Sequence, residues 1–189
     1  MSNARVTQKV QLVGMDISAM ETLAAMHNEF PFRGKQLFHW VYKQPANSID
    51  SMNTLPSLFR DFISDEYVLP PLTLIKKTGS DLEPTQKFLL QLPYGEKIES
   101  VIMEEGKRVT LCVSTQVGCA VDCKFCATAK MGFIKNLTAG EIVDQYLLIL
   151  NSINKRITNV VFMGMGEPFL NYQQVINAAD LLNQDGISC

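Results

Sequence analysis

Three cysteines lie in one short loop, and they constrain what this chain can fold into more than any other feature. Cys119, Cys123 and Cys126 follow the spacing C-x3-C-x2-C. Thiolates are soft ligands that select iron–sulfur clusters, zinc or copper(I), and three of them converge on one small group only if the loop curls around it. Because a 4Fe-4S cluster takes one cysteine per iron, a loop with three cysteines predicts a cluster with one iron open to a small molecule.

The same loop could instead form a structural zinc site or carry unrelated buried thiols. Structural zinc sites usually combine two short groups of Cys and His ligands, whereas the two histidines of the chain, His27 and His39, lie far upstream. Three of the five cysteines share one loop, which is unlike the disulfide framework of a small secreted domain. The pattern therefore favours thiolate ligands in a reducing compartment, and we expect a cytoplasmic location.

The composition predicts a globular protein that is not embedded in a membrane. The chain has 189 residues, of which 47% are hydrophobic and 19% are charged, enough for one or two small domains with a packed core. No stretch approaches the apolar length that crosses a membrane, and the first residues do not form an apolar signal region. The net charge of −2 gives no general attraction to nucleic acid, so RNA binding would need local basic patches.

Basic residues along the predicted strands of the middle region form either one such patch or an ordinary solvated edge. The sequence leaves these two interpretations equally open. A surface that contacts phosphates would gain affinity from the counterions it releases. The residues concerned are Lys76, Lys77, Lys87, Lys97, Lys107 and Arg108.

The pattern of apolar residues changes from helical to strand-like at Pro70-Pro71. Before this break, a capping box formed by Ser18 and Glu21 predicts the start of the first of several helices. After the break we expect strands and then strand–loop–helix units, with a second capping box at Thr138 and Glu141. The predicted strands are 72–78, 87–92, 97–104, 108–115 and 159–163, and the predicted later helices are 138–153 and 171–184.

The order of these elements predicts an α/β fold in three segments. They are a helical segment over residues 1–70, connecting strands over 71–104, and alternating strands and helices over 105–189. The alternation implies a parallel sheet with right-handed crossovers, and sites in such folds lie at the carboxyl ends of the strands. The cysteine loop and the segment Gly164-Met-Gly-Glu-Pro168 both follow predicted strands, so we expect them on the same rim.

The cysteine spacing and the Gly164-Met-Gly-Glu-Pro168 segment together resemble the radical S-adenosylmethionine (SAM) enzymes. Three further segments, residues 30–36, 98–101 and 110–120, resemble more narrowly the RlmN family of radical-SAM methyltransferases. This resemblance implies a small N-terminal helical accessory domain, a β-hairpin region and the first part of a partial (β/α) radical-SAM barrel. It covers only about the first half of a family member, so we expect the chain to be a truncated fragment that is inactive as a methyltransferase alone.

The RlmN family methylates carbon 2 of adenosine in 23S rRNA and in tRNA, and the resemblance carries this function over as an expectation. It implies that Cys119, Cys123 and Cys126 bind a 4Fe-4S cluster and that Gly166 and Glu167 contact SAM. The implied partners are rRNA, tRNA and an electron donor such as flavodoxin or ferredoxin. We expect a monomer that does not attach to a membrane.

The resemblance also assigns roles to two residues that the local pattern would not single out. In isolation, Cys112 in an apolar strand is typical of a small core residue, and Glu99 is typical of a solvent-facing carboxylate. In the family, a glutamate matching Glu99 takes a proton from the substrate carbon. The family's reaction passes through a methyl-cysteine and a protein–RNA crosslink, and a second cysteine, matching Cys112, resolves the crosslink by forming a disulfide. The methyl-carrying cysteine is expected beyond this chain.

Two alternative functions stay open on the sequence. The first is a radical-SAM enzyme with another substrate, such as an activase that generates a glycyl radical. The second is an RNA-binding module without activity of its own, in which a metal only stabilises the fold. A demonstrated RNA substrate would exclude the first alternative. The brown colour of an iron–sulfur cluster would exclude a zinc site, which is colourless.

Overall fold

The computed structural model describes residues 9–46, 48–69, 72–153, 155–184 and 187. The chain divides into two compact units, Met1–Leu69 and Pro70–Cys189. Each unit has buried apolar residues of its own, and the two are described in turn. Among the described residues, no helix combines the length and the apolar character that a membrane span requires.

The first unit is built mainly from three α-helices. Two strands of two residues each, one near either end of the unit, pair in parallel. The helices expected before the Pro70-Pro71 break are therefore present. The elements are β1 Val10–Gln11, α1 Ile17–Met26, α2 Pro31–Phe38, a π-helical turn His39–Lys43, a 3-10 turn Ile49–Ser51, α3 Ser57–Glu66 and β2 Tyr67–Val68.

The N-terminus of α1 differs from the sequence prediction. Asp16 is the N-cap, and its side-chain oxygen accepts a hydrogen bond from the Ala19 N–H at 2.7 Å. Asp16 has an extended backbone, which lets its short carboxylate reach an N–H in the first turn of the helix. The prediction of Ser18 and Glu21 as the capping box was wrong, because Ser18 already lies inside α1.

A glycine sets how closely α1 and α2 approach each other. A Cβ atom at Gly34 in α2 would lie 2.4 Å from the Cα atom of Glu21 in α1, far inside van der Waals contact. Two helix backbones come this close only where one of them lacks a side chain. The apolar side chains buried in this unit include those of Leu12, Met20, Leu23, Leu37, Phe38, Val41, Met52, Phe59 and Ile63.

The second unit contains a five-stranded mixed sheet, a separate two-stranded hairpin and two α-helices. Its elements in chain order are β3 Thr73–Thr78, β4 Thr85–Gln91, β5 Lys97–Glu105, β6 Arg108–Cys112, β7 Gln116–Gly118, β8 Phe133–Asn136, α4 Ala139–Ser152, β9 Asn159–Val161 and α5 Tyr172–Leu182. The large sheet has the strand order β3-β4-β5-β6-β9. Its first four strands pair antiparallel, and β9 is parallel to β6. The hairpin pairs β7 with β8.

The predicted α/β class is confirmed, as is the alternation of strands and helices in the later part of the chain. The elements β6, α4, β9 and α5 follow one another in the expected order, and β6 and β9 form the expected parallel pair. The strands that the structure describes form an open sheet rather than a closed barrel. This arrangement agrees with the first part of a partial radical-SAM barrel.

The capping box predicted at the start of α4 is confirmed. The Thr138 Oγ1 accepts a hydrogen bond from the Glu141 N–H at 3.1 Å, and a Glu141 carboxylate oxygen accepts one from the Thr138 N–H at 2.9 Å. The other carboxylate oxygen of Glu141 accepts from Lys135 Nζ at 2.7 Å. These contacts satisfy N–H groups that the first turn of a helix leaves without intrahelical partners.

A buried glutamine connects α4 to the sheet. Gln145 is fully buried, and its Oε1 accepts hydrogen bonds from the Ser100 Oγ and the Ser114 N–H, both at 2.8 Å. Its Nε2 donates to the Ser114 carbonyl at 2.9 Å. A buried polar group left without a partner costs about 1–3 kcal/mol, so these bonds fix α4 against β5 and the segment that follows β6.

Asp144 is a buried carboxyl group on α4, and its Oδ2 accepts a hydrogen bond from the Leu72 N–H at 3.0 Å. Its Oδ1 has no hydrogen-bond partner among the described residues. Burial raises the pKa of Asp144 to about 7; the Leu72 N–H opposes the rise, and the nearby Glu141 carboxylate adds to it. The charged form of this side chain is therefore unfavourable inside the fold.

We expect Asp144 to make the protein less stable as the pH rises above neutral. Its pKa in the folded state, about 7, exceeds the unfolded value of about 3.9. Its stabilising contribution is therefore complete below about pH 4 and is lost as the pH rises through about 7. Between about pH 5 and pH 8 the loss amounts to about 2–3 kcal/mol, at about 1.4 kcal/mol per pH unit.

Urea unfolding of the chain and of Asp144→Asn, at a pH near 5 and a pH near 8, measures this contribution. The substitution removes the titrating group, so the change in free energy of unfolding between the two pH values should be about 2–3 kcal/mol smaller in the variant. An identical pH dependence in the two proteins would contradict the assignment.

Candidate metal centre and adjoining loop

The cysteine loop is closed at its base by the antiparallel pair β7 and β8. The Cys119 N–H donates to the Gly132 carbonyl at 3.1 Å. The Gln116 Nε2 donates to the Asn136 Oδ1 at 2.8 Å, which adds a side-chain link between the two strands. The segment that carries the three cysteines is therefore held at both of its ends.

Gly118 permits the close crossing at the base of this loop. It has a φ of +74°, and a Cβ atom there would lie 1.7 Å from the Gly132 carbonyl oxygen. Gly132 has a similar φ of +71°, but no described atom lies within 4 Å of its Cβ position. Gly118 is thus required both because its φ is positive and because a side chain would clash with the Gly132 carbonyl. At Gly132 only the positive φ favours glycine.

The three loop cysteines are free thiols, and each is partly exposed. The Cys126 N–H donates to the Cys123 carbonyl at 3.0 Å. Hydrogen bonds from the backbone N–H groups of Ala129 and Thr128 lower the pKa of the Cys126 thiol. A lowered pKa favours the thiolate, which is the form that binds metals.

The side chains of the three cysteines do not converge on one point. In the described part of the chain, no group of three or more His, Cys, Asp or Glu side chains is arranged to hold a metal ion. The donor set itself, three thiols on one loop tied at its base, fits an iron–sulfur cluster by its chemistry. Binding a cluster would require the segment between β7 and β8 to close around it.

The loop that follows β9 packs against the segment that leads into the cysteine loop. The Gly164 N–H donates to the Val113 carbonyl at 3.0 Å, and the Thr115 N–H donates to the Met165 carbonyl at 2.8 Å. The Ser114 Oγ accepts from the Met165 N–H at 2.9 Å. These bonds bring together the two motifs that were predicted to share a rim.

One buried side chain, Gln116, fixes both Gly166 and Glu167. The Glu167 N–H donates to the Gln116 Oε1 at 2.9 Å. A Cβ atom at Gly166, whose φ is +103°, would lie 2.6 Å from the Gln116 Cβ. A side chain at position 166 would therefore collide with Gln116 of β7, so only glycine fits there. The Glu167 carboxylate accepts from the Phe169 N–H at 3.0 Å and caps the 3-10 turn Pro168–Asn171.

Three polar residues that assemble this rim were not predicted from the sequence. Ser114, Gln116 and Asn171 are all buried, and the Asn171 Nδ2 donates to the carbonyls of Thr115 and Leu137, both at 2.8 Å. The available signal was a run of polar residues directly after an apolar strand. Buried polar groups must find hydrogen-bond partners, so such a run indicates a loop that other segments cross.

Cys112 is the last residue of β6 and is 8% exposed. Burial raises the pKa of its thiol, and a hydrogen bond from the Met163 backbone N–H opposes the rise. Its Cα partners in the sheet are Val101 of β5 and Val161 of β9. Cys112 therefore lies at the carboxyl end of the strand that leads to the cysteine loop, and its burial disfavours the thiolate form.

Glu99 lies in β5 and pairs with Lys87 of β4, with 2.9 Å between Oε1 and Nζ. Side chains alternate between the faces of a strand, so Glu99 shares a face with Val101, whereas Ser100 points towards α4. Since Val101 is directly opposite Cys112, Cys112 lies on the face of Glu99. The structure thus brings Glu99 and Cys112 to the face of the sheet away from α4, which we call the open face.

Two protein families match the chain. The Ribosomal RNA large subunit methyltransferase N-terminal domain matches residues 10–68, and the Radical SAM superfamily matches residues 113–189. The first match lies within the helical unit. The second begins directly after β6, in the segment that leads into the cysteine loop.

Curated relatives named probable dual-specificity RNA methyltransferase RlmN are similar to most of the chain. The relative from Prochlorococcus marinus subsp. pastoris is 40% identical over 176 residues, covering 92% of this chain and 51% of the relative. The relative from Thermotoga neapolitana is 44% identical over 152 residues, covering 80% of this chain and 44% of the relative. The relative from Synechocystis sp. is 46% identical over 155 residues, covering 81% of this chain and 43% of the relative. The chain thus spans about half the length of the curated relatives it matches.

A solved structure shares the fold. The crystal structure of a radical SAM methyltransferase from Sphaerobacter thermophilus matches with a TM-score of 0.86 and 38% sequence identity, over 94% of this chain and 53% of that chain. The two family matches, the curated relatives and this structure agree along both units. The chain therefore shows the sequence and fold features of the RlmN family of radical SAM proteins over about half the length of its members.

Proposed function

We propose that this chain forms the cofactor-binding part of a radical-SAM methyltransferase that methylates carbon 2 of adenosine in 23S rRNA and in tRNA. The relatives it matches are named as dual-specificity RNA methyltransferases. One structural observation carries the proposal, the hydrogen bonds that join the loop after β9 to the segment leading into Cys119. A loop of metal ligands and a second loop suited to a small ligand thus adjoin at the carboxyl ends of β6 and β9.

The proposed cofactors are a 4Fe-4S cluster and SAM. Cys119, Cys123 and Cys126 would hold the cluster, and Gly166 and Glu167 would contact SAM. When bound, the cluster would supply one electron for the cleavage of SAM, a reaction that belongs to the cofactors themselves. The contribution of the chain is to hold the two loops side by side.

Glu99 and Cys112 would act on the RNA from the open face. We assign to Glu99 the removal of the proton from carbon 2 of the adenine ring. We assign to Cys112 the release of the product. Its thiolate would attack the sulfur of the methyl-carrying cysteine, so that an S–S bond forms as the S–C bond to the RNA breaks, and the released carbon would take up a proton to become the methyl group. Burial raises the pKa of the Cys112 thiol, and the Met163 N–H that bonds to its sulfur would stabilise the thiolate.

The proposed organisation has an accessory domain over residues 1–70, connecting strands over 71–104 and the N-terminal part of the radical-SAM core over 105–189. The connecting strands share one sheet with β6, which supports a direct structural link between the last two segments. We further propose a monomer in the cytoplasm that receives electrons from a flavodoxin or a ferredoxin. A reducing compartment would keep the thiolate ligands available.

The proposed SAM contact is tested by changing the Glu167 side chain. After anaerobic reconstitution, Glu167→Ala should weaken SAM binding by about 10- to 100-fold, because hydrogen bonds to charged groups contribute about 1.5–3 kcal/mol. Isothermal titration with SAM measures the affinity. The unmodified chain should also form 5′-deoxyadenosine from SAM when a reductant is added, and Glu167→Ala should form less of it at low SAM concentration.

A second variant separates SAM binding from local folding. Glu167→Gln keeps an oxygen that accepts from the Phe169 N–H, so the 3-10 turn retains its cap while the charge is lost. Weaker SAM binding in both variants supports the contact, and an unchanged affinity in Glu167→Gln would assign this side chain a structural role only. Glu105→Ala, at the end of β5 opposite the first residue of β6, is the matched control and should bind SAM normally. A chain that loads the cluster but does not cleave SAM would contradict the proposed function.

A further inference from the structure

The open face of the sheet carries a row of three lysines beside Glu99. Lys76 of β3 is paired with Leu89 of β4, and Leu89 is in turn paired with Glu99 of β5. Lys87 and Lys97 lie two residues from Leu89 and Glu99 along their own strands, so strand alternation places them on the same face. All three lysines are exposed. The row therefore crosses β3, β4 and β5 and lies beside Glu99, the residue proposed to remove the proton.

Two other lysines of the second unit, Lys77 and Lys155, are engaged elsewhere. Lys77 stands on the opposite face of β3, where its Nζ lies 5.7 Å from the centre of the Phe88 ring and pairs with Asp81. Lys155 pairs with Glu104 at 2.8 Å. The register of the strands thus separates these three lysines, which lie around Leu89 and Glu99, from the scattered basic residues that the sequence shows.

The row makes the open face locally positive in a chain whose net charge is −2. On strands β3 to β6, the acidic residues of this face are Glu99, already paired with Lys87, and Glu105, which is opposite Arg108 at the far end of the β5–β6 pair. The uncharged members include Thr110 and Cys112. A patch of one sign on a protein of the other sign attracts a polyanion locally.

We propose that the open face of β3, β4 and β5 receives the RNA backbone, and that Lys76, Lys87 and Lys97 contact phosphates next to the target adenosine. This inference rests on the proposed function, because it takes Glu99 as the residue that reaches the reacting carbon. Neighbouring positions of one face are about 7 Å apart along a strand, and neighbouring strands are about 5 Å apart, so the three ammonium groups span a few nucleotides. On binding, a phosphate would replace Glu99 as the partner of Lys87. The Glu99 carboxylate would then be free to reach the adenine ring.

The test measures the RNA affinity of the 189-residue chain as a function of salt concentration. The probe is a fluorescently labelled RNA hairpin with an unpaired adenosine in its loop, followed by anisotropy. Each of Lys76→Met, Lys87→Met and Lys97→Met should reduce the slope of log affinity against log salt by about 0.7–0.9. Binding at about 0.1 M salt should weaken about five- to eightfold per lysine. In the triple variant, the slope of log affinity against log salt should be smaller by about 2–3.

Lys107→Met, in the turn between β5 and β6, removes the same charge outside the row and is the matched control. Arginine at the three row positions should retain the slope, since it keeps the charge. If the chain binds RNA but the row variants change the slope no more than Lys107→Met does, the inference fails and the proposed function stands. If the unmodified chain does not bind the hairpin, the inference fails together with the RNA part of the proposed function.

Discussion

Alanine in place of Gly118 is expected to open the hairpin that closes the cysteine loop and to prevent iron loading. A Cβ atom at this position would lie 1.7 Å from the Gly132 carbonyl oxygen, so β7 and β8 could not keep their present separation. The positive φ costs a residue with a side chain about 1–2 kcal/mol, and overpacking costs about 1–3 kcal/mol more. We therefore expect the free energy of unfolding in urea to fall by about 2–5 kcal/mol. Iron content after anaerobic reconstitution should fall with it.

Gly132→Ala is the matched control for this experiment. Gly132 has nearly the same φ, +71°, but open space around its Cβ position. The variant should lose only the backbone term of about 1–3 kcal/mol and should still load iron. Equal losses of stability in Gly118→Ala and Gly132→Ala, with iron loading retained in both, would show that the close crossing does not organise the loop.

Elements that depend on neighbouring residues could be predicted from the sequence. The capping box at Thr138 and Glu141 was recognisable because both partners lie within one turn. Pairing of 97–104 with 108–115 needed only a tight turn between them, and β5 and β6 pair there. The start of α1 was misplaced because Asp16, two residues before Ser18, has the extended backbone of an N-cap, and the sequence pattern does not define that backbone conformation.

Elements that depend on distant residues could not be predicted. Strands β7 and β8 are too short to show an alternating pattern. The segments that flank them are joined by Asn171, which follows β9 in the chain and donates to the carbonyls of Thr115 and Leu137. Gln145 does not belong to the apolar positions of α4, yet it is buried because Ser100 and Ser114 approach it from the sheet. Sequence alone does not indicate which strand residues face a given helix.

The same distinction applies to the candidate site. The cysteine spacing and the Gly164-Met-Gly-Glu-Pro168 segment were recognisable as motifs, and their common rim followed from the alternation of strands and helices. The ion pair of Glu99 with Lys87 depends on the register of β4 and β5, which the sequence did not define. The common face of Glu99 and Cys112 depends likewise on the register of β5 and β6.

Alanine at any one of Cys119, Cys123 or Cys126 is expected to abolish binding of an intact 4Fe-4S cluster. Each thiolate would hold one iron, so the loss of one ligand would leave two irons without protein ligands and make the cluster labile. Cys112→Ala is the matched control, because it removes a buried thiol from the same unit without touching the loop. Only the three loop variants should lose iron.

Metal and sulfide analysis of the unmodified chain after anaerobic reconstitution, together with its visible spectrum, tests the central claim most directly. The account predicts about four irons and four sulfides per chain and a brown chromophore that is absent from each of the three loop variants. One equivalent of zinc with no iron, in a colourless protein, would contradict it.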